Sequence, residues 1–464
     1  MLFSSLSFLF FFFPLVLILY YLVIYCIGRT AGNLILFCSS IFFYAWGEPQ
    51  NVLILLASIC FNYSIVKCIE RGERFKKIYL IFSITVNLAV LFIFKYLNFT
   101  LNNLKVLGFN ENIQMKEIVM PIGISFYTFQ ALSYLIDVYR GRVKSQNTLL
   151  GVGLYIAFFP QLVAGPIVQY QTIEEQITNR KENWDKVCQG VSRFVIGLSK
   201  KVILANSFAI VADECFENVG GGYLSLAWIG IIFYSLQIYY DFSGYSDMAV
   251  GLGKLFGFEF LENFHYPYFA ASVTDFWRRW HISLGTFFRE YVYIPLGGSK
   301  RGKRKTVRNL FIVWVLTGLW HGANWTFILW GVIHFLAIVL EKLLIRKQKN
   351  AFIGRLYMLG VVIAGWVFFR SDSVEMAIKY IKIMMGIGVN GYMNVRSIVL
   401  LKENFIFLIV GILGTIPVMS VIKKKIGNTI IYEILEQLSV PILFYFCCCY
   451  LIKSTYNPFI YFNF

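Results

Sequence analysis

The sequence contains four histidines, and their spacing limits the chemistry that they could support. His265, His281, His321 and His334 lie too far apart for a zinc-binding motif, and no cysteine stands near them at ligand spacing. The nucleophile pattern G-x-S-x-G of serine hydrolases is also absent. We therefore expect no metal site, and the histidines remain as candidate acid–base groups.

His321 lies near the middle of thirty residues, Phe311 to Leu340, that contain no Asp, Glu, Lys or Arg. A straight helix of that length would span about 45 Å, more than the ~30 Å hydrocarbon core of a bilayer. Gly318, Gly322 and Asn324 predict a break beside the histidine. An ionisable residue at such a depth is a functional candidate, and a neutral imidazole near a hydroxyl can act as a general base.

The alternative for a single histidine in an apolar helix is a hydrogen-bonded packing role. We keep that interpretation for His334. On an unbroken helix it would lie about 220° around the axis from His321, so one site need not use both.

His281 follows a capping box, Ser272-x-x-Asp275, that predicts the start of a helix. Arg278 and Arg279 would point from this helix toward water or lipid headgroups. The apolar side would carry Trp277, Trp280, His281, Leu284 and Phe288. The pattern alone fits an interfacial helix with an aromatic belt equally well.

A basic arm lies between these two regions, with six cations in nine residues and no acid. Its cations are Lys300, Arg301, Lys303, Arg304, Lys305 and Arg308. The arm could be a topology signal that contacts lipid headgroups, or it could attract an anionic cofactor to the cytoplasmic mouth of a cavity. Residues 297–304, GGSKRGKR, nearly match a phosphate-binding P-loop, but Arg304 replaces the metal-binding Ser or Thr, so we reject that motif.

The composition predicts a polytopic membrane protein. Of 464 residues, 58% are hydrophobic and only 14% are charged, too few to cover large soluble cores. The net charge of +17 arises from short clusters between apolar runs. That distribution fits the positive-inside rule better than a nucleic-acid surface, so we expect the lipid bilayer and no nucleic acid as partner.

The apolar runs predict an all-α fold with about eleven transmembrane helices plus re-entrant and interfacial helices, in a single domain over residues 1–464. Two prolines and a glycine interrupt residues 149–167 and predict a re-entrant segment. Asp372 and Glu375 resemble the cap of an interfacial helix. Placing the basic loops in the cytoplasm puts the N-terminus outside.

Several segments together resemble the membrane-bound O-acyltransferase family, and most closely its bacterial alginate O-acetylation branch. In family order over most of the chain, they are PIGISFYTFQALSYLIDVYRG (121–141), FFPQLVAGPI (158–167), YYDFSGYSDMAVGLGKLFGF (239–258), DFWRRWHISLGTFFREYVYIPLGG (275–298), LTGLWHGANWTFILWG (316–331) and GWVFFR (365–370).

The resemblance implies a ring of tilted helices around a central tunnel in a bacterial plasma membrane. His321 would deprotonate the acceptor hydroxyl, and His281 would orient the donor or polarise its carbonyl. Trp280 and Asn324 are expected to line the tunnel. The donor would be acetyl-CoA or another acyl thioester, with no permanently bound cofactor. Its phosphates would contact Arg278, Arg279, Lys300, Arg301, Lys303 and Arg304.

The acceptor would be an extracytoplasmic polysaccharide or a partner acetyltransferase that relays the acyl group. Relatives that transfer D-alanine toward teichoic acids share the histidine motifs, so D-alanyl transfer is an alternative. A flippase or transporter of polysaccharide precursors is another, and it would depend on intramembrane acids such as Asp241. We expect instead that Asp241 and Asp247 are buried partners of arginine or tyrosine.

Overall fold

The computed structural model describes residues 1–72, 74–109, 118–343, 350–427, 429–453, 456–457 and 460. Within these residues every regular element is a helix and no strand forms. The predicted all-α fold class is confirmed. A helix satisfies its backbone hydrogen bonds within one segment, which suits a chain whose surroundings are hydrocarbon.

Eight helices of the described residues are long and apolar enough to cross a membrane, and a ninth candidate is a pair, Val395–Glu403 and Phe405–Gly414, bent by 64°. The eight are Phe8–Cys26, Arg29–Gly47, Val52–Arg71, Lys76–Val106, Trp184–Gly221, Trp325–Lys342, Ala351–Arg370 and Tyr432–Lys453. The chain is therefore a multi-pass membrane protein.

Eight or nine candidate spans are fewer than the eleven that the apolar runs predict, because some runs form short or partly polar helices. Ile124–Tyr139 has only 16 residues, and Leu224–Leu255 contains Asp241 near its middle. The helix that begins at Phe405 stops at Gly414, three residues before Pro417, although the apolar run continues to residue 422. Apolarity in the sequence does not show where a helix ends.

The chain divides into two compact units, and unit 1 comprises Met1–Phe194 and Ser246–Leu261. Its second helix ends at Gly47 and its third begins at Val52, so only a short turn separates them. The complete helices of unit 1 are α1 (Phe13–Cys26), α2 (Arg29–Gly47), α3 (Val52–Arg71), α4 (Lys76–Leu91), α5 (Leu97–Val106), α6 (Ile124–Tyr139), α7 (Leu149–Ala157), α8 (Phe159–Leu162) and α9 (Tyr170–Asn179).

The predicted interruption of residues 149–167 is also confirmed, because α7 ends at Ala157 and Phe158 is not helical. Pro160 follows within the short helix α8, and residues 151–170 are buried in protein. Broken backbone at membrane depth needs such protection.

Unit 2 comprises Val195–Tyr245 and Glu262–Phe464, so the division falls inside α10 (Trp184–Ser199) and α12 (Leu224–Leu255). Its core is rich in aromatic residues, including Trp280, Trp314, Trp330 and Trp366. Its further helices are α11 (Asn206–Glu217), α13 (Val273–Arg279), α14 (Ile282–Phe288), α15 (Lys303–His321), α16 (Trp325–Leu343), α17 (Ala351–Arg370), α18 (Val374–Met384), α19 (Val395–Glu403), α20 (Phe405–Gly414), α21 (Val418–Ile426) and α22 (Ile430–Lys453). A single domain over 1–464 stays a prediction, since a division into compact units does not decide whether they fold separately.

Both intramembrane acids of α12 are paired with cations. In unit 1, Asp247 lies 2.7 Å from a guanidinium nitrogen of Arg193, as predicted. In unit 2, Asp241 lies 2.6 Å from Nζ of Lys201. The expected partner of Asp241 was arginine or tyrosine, but a buried carboxylate needs only a cation within reach, and the π-helix Lys200–Ala205 supplies a lysine.

The cap predicted at Asp372 is wrong by one residue. Helix α18 begins at Val374, and the hydroxyl of Ser373 accepts a hydrogen bond from the backbone N–H of Met376. Serine and aspartate both cap helices well, so the sequence pattern could not separate the two neighbouring positions.

Candidate active site

His281 lies at a break between two short helices and not inside one helix. The hydroxyl of Ser272 accepts a hydrogen bond from the backbone N–H of Asp275, which confirms the predicted start of α13. The helix ends at Arg279, and His281 adopts a left-handed backbone with φ +46° and ψ +53°. The expectation that Trp277 and Phe288 share one helix face with His281 is therefore wrong.

A neighbouring segment replaces the helical hydrogen bonds at this break. The backbone N–H of His265 donates to the carbonyl of Arg279 at 2.9 Å, and the N–H of Ile282 donates to the carbonyl of Asn263 at 3.0 Å. Positive φ is uncommon for residues other than glycine and is often found at functional sites. Tertiary pairing holds His281 in that conformation.

His281 is 1% exposed, and its imidazole packs among side chains from several elements. Its Nδ1 lies 3.3 Å from Oδ1 of Asn263. The ring of Phe242 packs edge-on against it, with centroids 4.6 Å apart, and the indole of Trp320 lies 5.7 Å away.

His321 is the last residue of α15, and the predicted break follows it immediately. Gly322 is extended, and the next helix, α16, begins at Trp325. The His321 side chain is 5% exposed, and its imidazole packs edge-on against Trp330 and Phe369 at 5.0 Å each. The break places the histidine at a helix end within an aromatic enclosure.

Glycines allow α15 and α16 to approach closely on either side of this break. A Cβ on Gly318 would lie 2.4 Å from the carbonyl oxygen of Phe327, and a Cβ on Gly331 would lie 2.4 Å from that of Trp314. Small residues at such crossings let helix backbones touch. The short connection and the close packing together fix the position of His321.

Trp320 joins the two predicted catalytic residues. Its indole centroid is 5.7 Å from the His281 ring and 4.9 Å from the His321 ring. The structure of unit 2 therefore brings His281 and His321, forty positions apart in the sequence, against one aromatic side chain.

Known proteins resemble this chain over most of its length. The sequence model of the membrane-bound O-acyltransferase family matches residues 148–371, which include both histidines. A probable alginate O-acetylase AlgI of Pseudomonas putida is 41% identical over 399 residues, covering 84% of this chain and 81% of that protein. The chain belongs to the membrane-bound O-acyltransferase family.

Other relatives in the family act on different polymers, by their names. A peptidoglycan O-acetyltransferase of Helicobacter pylori is 34% identical over 423 residues, covering 83% of this chain and 80% of that protein. A teichoic acid D-alanyltransferase of Streptococcus thermophilus is 31% identical over 243 residues, covering 49% and 58%. The chain is thus an O-acyltransferase.

His334 of this O-acyltransferase lies at the centre of a tryptophan cluster. It is fully buried, and its Nδ1 accepts a hydrogen bond of 3.2 Å from the indole N–H of Trp277. The rings of Trp314 and Trp330 lie 5.5 and 5.1 Å away. These contacts agree with the packing role predicted for it.

The two predicted tunnel residues make structural contacts. Trp280 is buried and stacks on Phe276 at 5.5 Å. Asn324 accepts a hydrogen bond from the backbone N–H of Thr326 at the start of α16 and donates one to the carbonyl of Asp372. Lining of an acyltransferase tunnel by either residue stays a prediction.

The basic arm of this O-acyltransferase extends into the first two turns of α15. Gly302, with φ +88°, precedes that helix, and Asn309 holds the preceding turn by donating hydrogen bonds to the carbonyls of Leu296 and Gly298. Lys300, Arg301, Lys303 and Arg304 are exposed. No carboxylate among the described residues pairs with these four, so their charge faces outward. Free backbone N–H groups and a partial positive charge mark the start of any helix, so α15 adds to this field.

The other two predicted donor contacts differ from each other. Arg278 is exposed, whereas Nε of Arg279 donates to the carboxylate of Asp275 at 3.0 Å. No group of three or more His, Cys, Asp or Glu among the described residues could hold a metal ion.

Sequence reasoning missed Asn263, Phe242 and Phe369 as neighbours of the two histidines. Asn263 precedes His281 by eighteen positions, and no motif links them. The three come from different elements that meet only in the folded unit.

Proposed function

We propose that this enzyme moves an acetyl or other small acyl group from a cytoplasmic thioester, acetyl-CoA, across the membrane to a hydroxyl on the far side. The hydroxyl belongs to an extracytoplasmic polysaccharide or to a partner acetyltransferase. The observation that carries the proposal is the pair of buried histidines, His281 and His321, on one indole. The O-acetylase names of the relatives that cover most of the chain support an acetyl group.

The proposed chemistry uses His321 as general base. Its imidazole takes the proton of the acceptor hydroxyl while the oxygen forms a bond to the thioester carbonyl carbon. The carbon–sulfur bond then breaks, and the leaving thiolate takes the proton from the His321 imidazolium, which restores the neutral base. The aromatic enclosure around His321 excludes water, which protects the thioester from hydrolysis.

The basic arm has the charge and exposure to attract the donor. A CoA thioester carries several phosphate charges, and Lys300, Arg301, Lys303 and Arg304 present four exposed cations at the N-terminal end of α15. His321 ends the same helix, so one element would connect donor attraction and catalysis.

The test is acyl transfer from radiolabelled acetyl-CoA by the full-length protein in its own membranes. Removing a general base typically costs 10²–10⁴-fold in rate, so His321→Ala should lower transfer by at least ~10²-fold. His265→Ala, at an exposed histidine, is the matched control and should keep full activity. Undiminished transfer by His321→Ala would overturn the assignment of the base.

The same assay distinguishes transfer of an acetyl group from transfer of a D-alanyl group. A D-alanyl donor loaded on its carrier protein should not replace acetyl-CoA, because the D-alanyltransferase relative matches only 49% of this chain. Faster transfer of D-alanine than of acetyl would replace the proposed donor and leave the acyltransferase mechanism intact.

A further inference from the structure

The side-chain amide of Asn263 has one possible orientation. The atom placed as Oδ1 accepts hydrogen bonds from the backbone N–H of Ser283 at 3.1 Å and from its hydroxyl at 2.9 Å. A backbone N–H can only donate, so an amide nitrogen cannot occupy that position. The contact with Ser283 therefore identifies the oxygen of the amide. The oxygen and nitrogen of an asparagine side chain are otherwise hard to tell apart.

That orientation determines the tautomer of neutral His281. Oδ1 of Asn263 lies 3.3 Å from His281 Nδ1, and an amide oxygen only accepts. The hydroxyl of Ser283, 3.5 Å from the same nitrogen, directs its proton to Asn263 and presents lone pairs to the ring. Both oxygens thus require a proton on Nδ1, which leaves the lone pair of the neutral ring on Nε2.

Nε2 of His281 is buried and accepts no hydrogen bond from any residue that the structure describes. A buried acceptor without a donor destabilises the folded protein, whereas a ligand that donates to it removes this penalty. The rings of Phe242 and Trp320 pack against the imidazole, and neither residue donates a hydrogen bond to its Nε2. The lone pair is therefore available to a group that is not part of the described chain.

We propose that Asn263 is a positioning residue that holds His281 as a hydrogen-bond acceptor at Nε2, so that His281 receives an O–H or N–H of a substrate. This inference rests on the proposed function for the presence of a substrate at His281. In its neutral form His281 would then orient a substrate by accepting from it and would not polarise the thioester carbonyl, which needs a donor. Asn263 also accepts from the N–H of Ile282 through its backbone, so it fixes both the ring and the left-handed turn.

The tautomer can be read directly by nitrogen-15 nuclear magnetic resonance of the histidine-labelled full-length protein in lipid vesicles. Only four histidines contribute signals, and a His281→Gln variant assigns the relevant one. At neutral pH we expect His281 to be protonated at Nδ1 and unprotonated at Nε2. A proton on Nε2 in the neutral ring of the wild-type protein would overturn the proposal.

His334 provides an internal contrast in the same spectrum. Its Nδ1 accepts from the indole N–H of Trp277, which can only donate, so its proton must be on Nε2. His281 and His334 should therefore show opposite tautomers.

Two substitutions test the role of the amide. Asn263→Ala removes the acceptor and should give a mixed or reversed His281 tautomer, whereas Asn263→Asp keeps an acceptor oxygen and should keep the proton on Nδ1. Ser283→Ala is the matched control, because its backbone N–H still donates to Asn263 and the tautomer should persist. An unchanged His281 tautomer in a folded Asn263→Ala protein would contradict the positioning role.

Acyl-transfer kinetics add a functional readout. Asn263→Ala should lower kcat by about 10²-fold, the usual effect of misplacing a reacting group by about 1 Å, with little change in the KM of the donor. Because the tautomer is measured without substrate, a protein with the expected tautomers but no acyl transfer would reject the proposed function alone. A reversed tautomer in an active enzyme would reject only this inference.

Discussion

His321 and His334 lie on adjacent helices, yet their surroundings differ in the way that separates a candidate catalytic residue from a packing residue. His334 accepts a hydrogen bond from Trp277 and is enclosed by tryptophans. His321 is the last residue of a helix, and the glycine that follows it has an extended backbone. The hydrogen bond to Trp277 gives His334 a structural role that any acceptor of similar shape could fill.

Replacing His334 with phenylalanine should therefore destabilise the protein and leave the chemistry intact. The substitution leaves the buried indole N–H of Trp277 without an acceptor, at a cost of about 1–3 kcal/mol. The midpoint of thermal unfolding in detergent should fall, while the specific activity of the protein that remains folded should match wild type. His265→Phe, at an exposed position, should change neither quantity, and a large loss of kcat in His334→Phe would assign His334 to catalysis.

At the scale of elements, α15 connects the basic arm to His321, and it packs against α16 in a helical hairpin. Gly318 and Gly331 lie where any Cβ would press on a backbone carbonyl of the other helix. The carbonyls cannot move as a flexible side chain would, so the helices themselves must separate.

Gly331→Ala should consequently lower the unfolding free energy by about 1–3 kcal/mol, the usual cost of overpacking, and should also lower activity because His321 shifts. Gly360→Ala is the matched control on α17, since its Cβ would meet no atom within 4 Å. Equal stability of the two variants, measured by thermal unfolding, would show that α15 and α16 can separate without cost.

The basic arm allows a second prediction at this scale. Changing Lys300, Arg301, Lys303 and Arg304 to glutamine should raise the KM for a CoA thioester several-fold, and the effect should shrink as salt screens the charges. The expected kcat is unchanged, because these side chains are exposed and His321 is not. Lys424→Gln with Lys425→Gln neutralises exposed cations on α21 and serves as control. An unaltered KM would leave the arm only the topological role.

For the whole molecule, the distribution of charge predicts an orientation in the membrane. The basic loops should face the cytoplasm and the N-terminus the outside, because cations are retained on the cytoplasmic side.

In intact cells a membrane-impermeant reagent should therefore label a tag at the N-terminus and should miss a cysteine placed at Ser299. Disruption of the membrane should expose Ser299→Cys in the basic arm to the same reagent. The native exposed cysteines must first be changed to serine so that only the new thiol reports. Labelling of Ser299→Cys in intact cells would reverse the predicted orientation.

The sequence by itself determined that this protein lies in a membrane and is helical, and it predicted the two histidines proposed to act in catalysis. Apolar composition requires helices in hydrocarbon, and Gly318 and Gly322 predicted the break at His321 because glycine weakens a helix locally. The order of the motifs over most of the chain also indicated the membrane-bound O-acyltransferase family, and the comparisons confirmed that family.

Only the tertiary structure decided the conformation at His281 and its partners. The residues before and after it favour a continuous helix, but pairing with residues 263–265 outweighs that local preference. Likewise, the distance from Asn263 to the imidazole and the position of Trp320 between the two histidines depend on contacts far apart in sequence. Local propensity carries no information about such contacts, so no pattern in the sequence could have supplied the tautomer of His281.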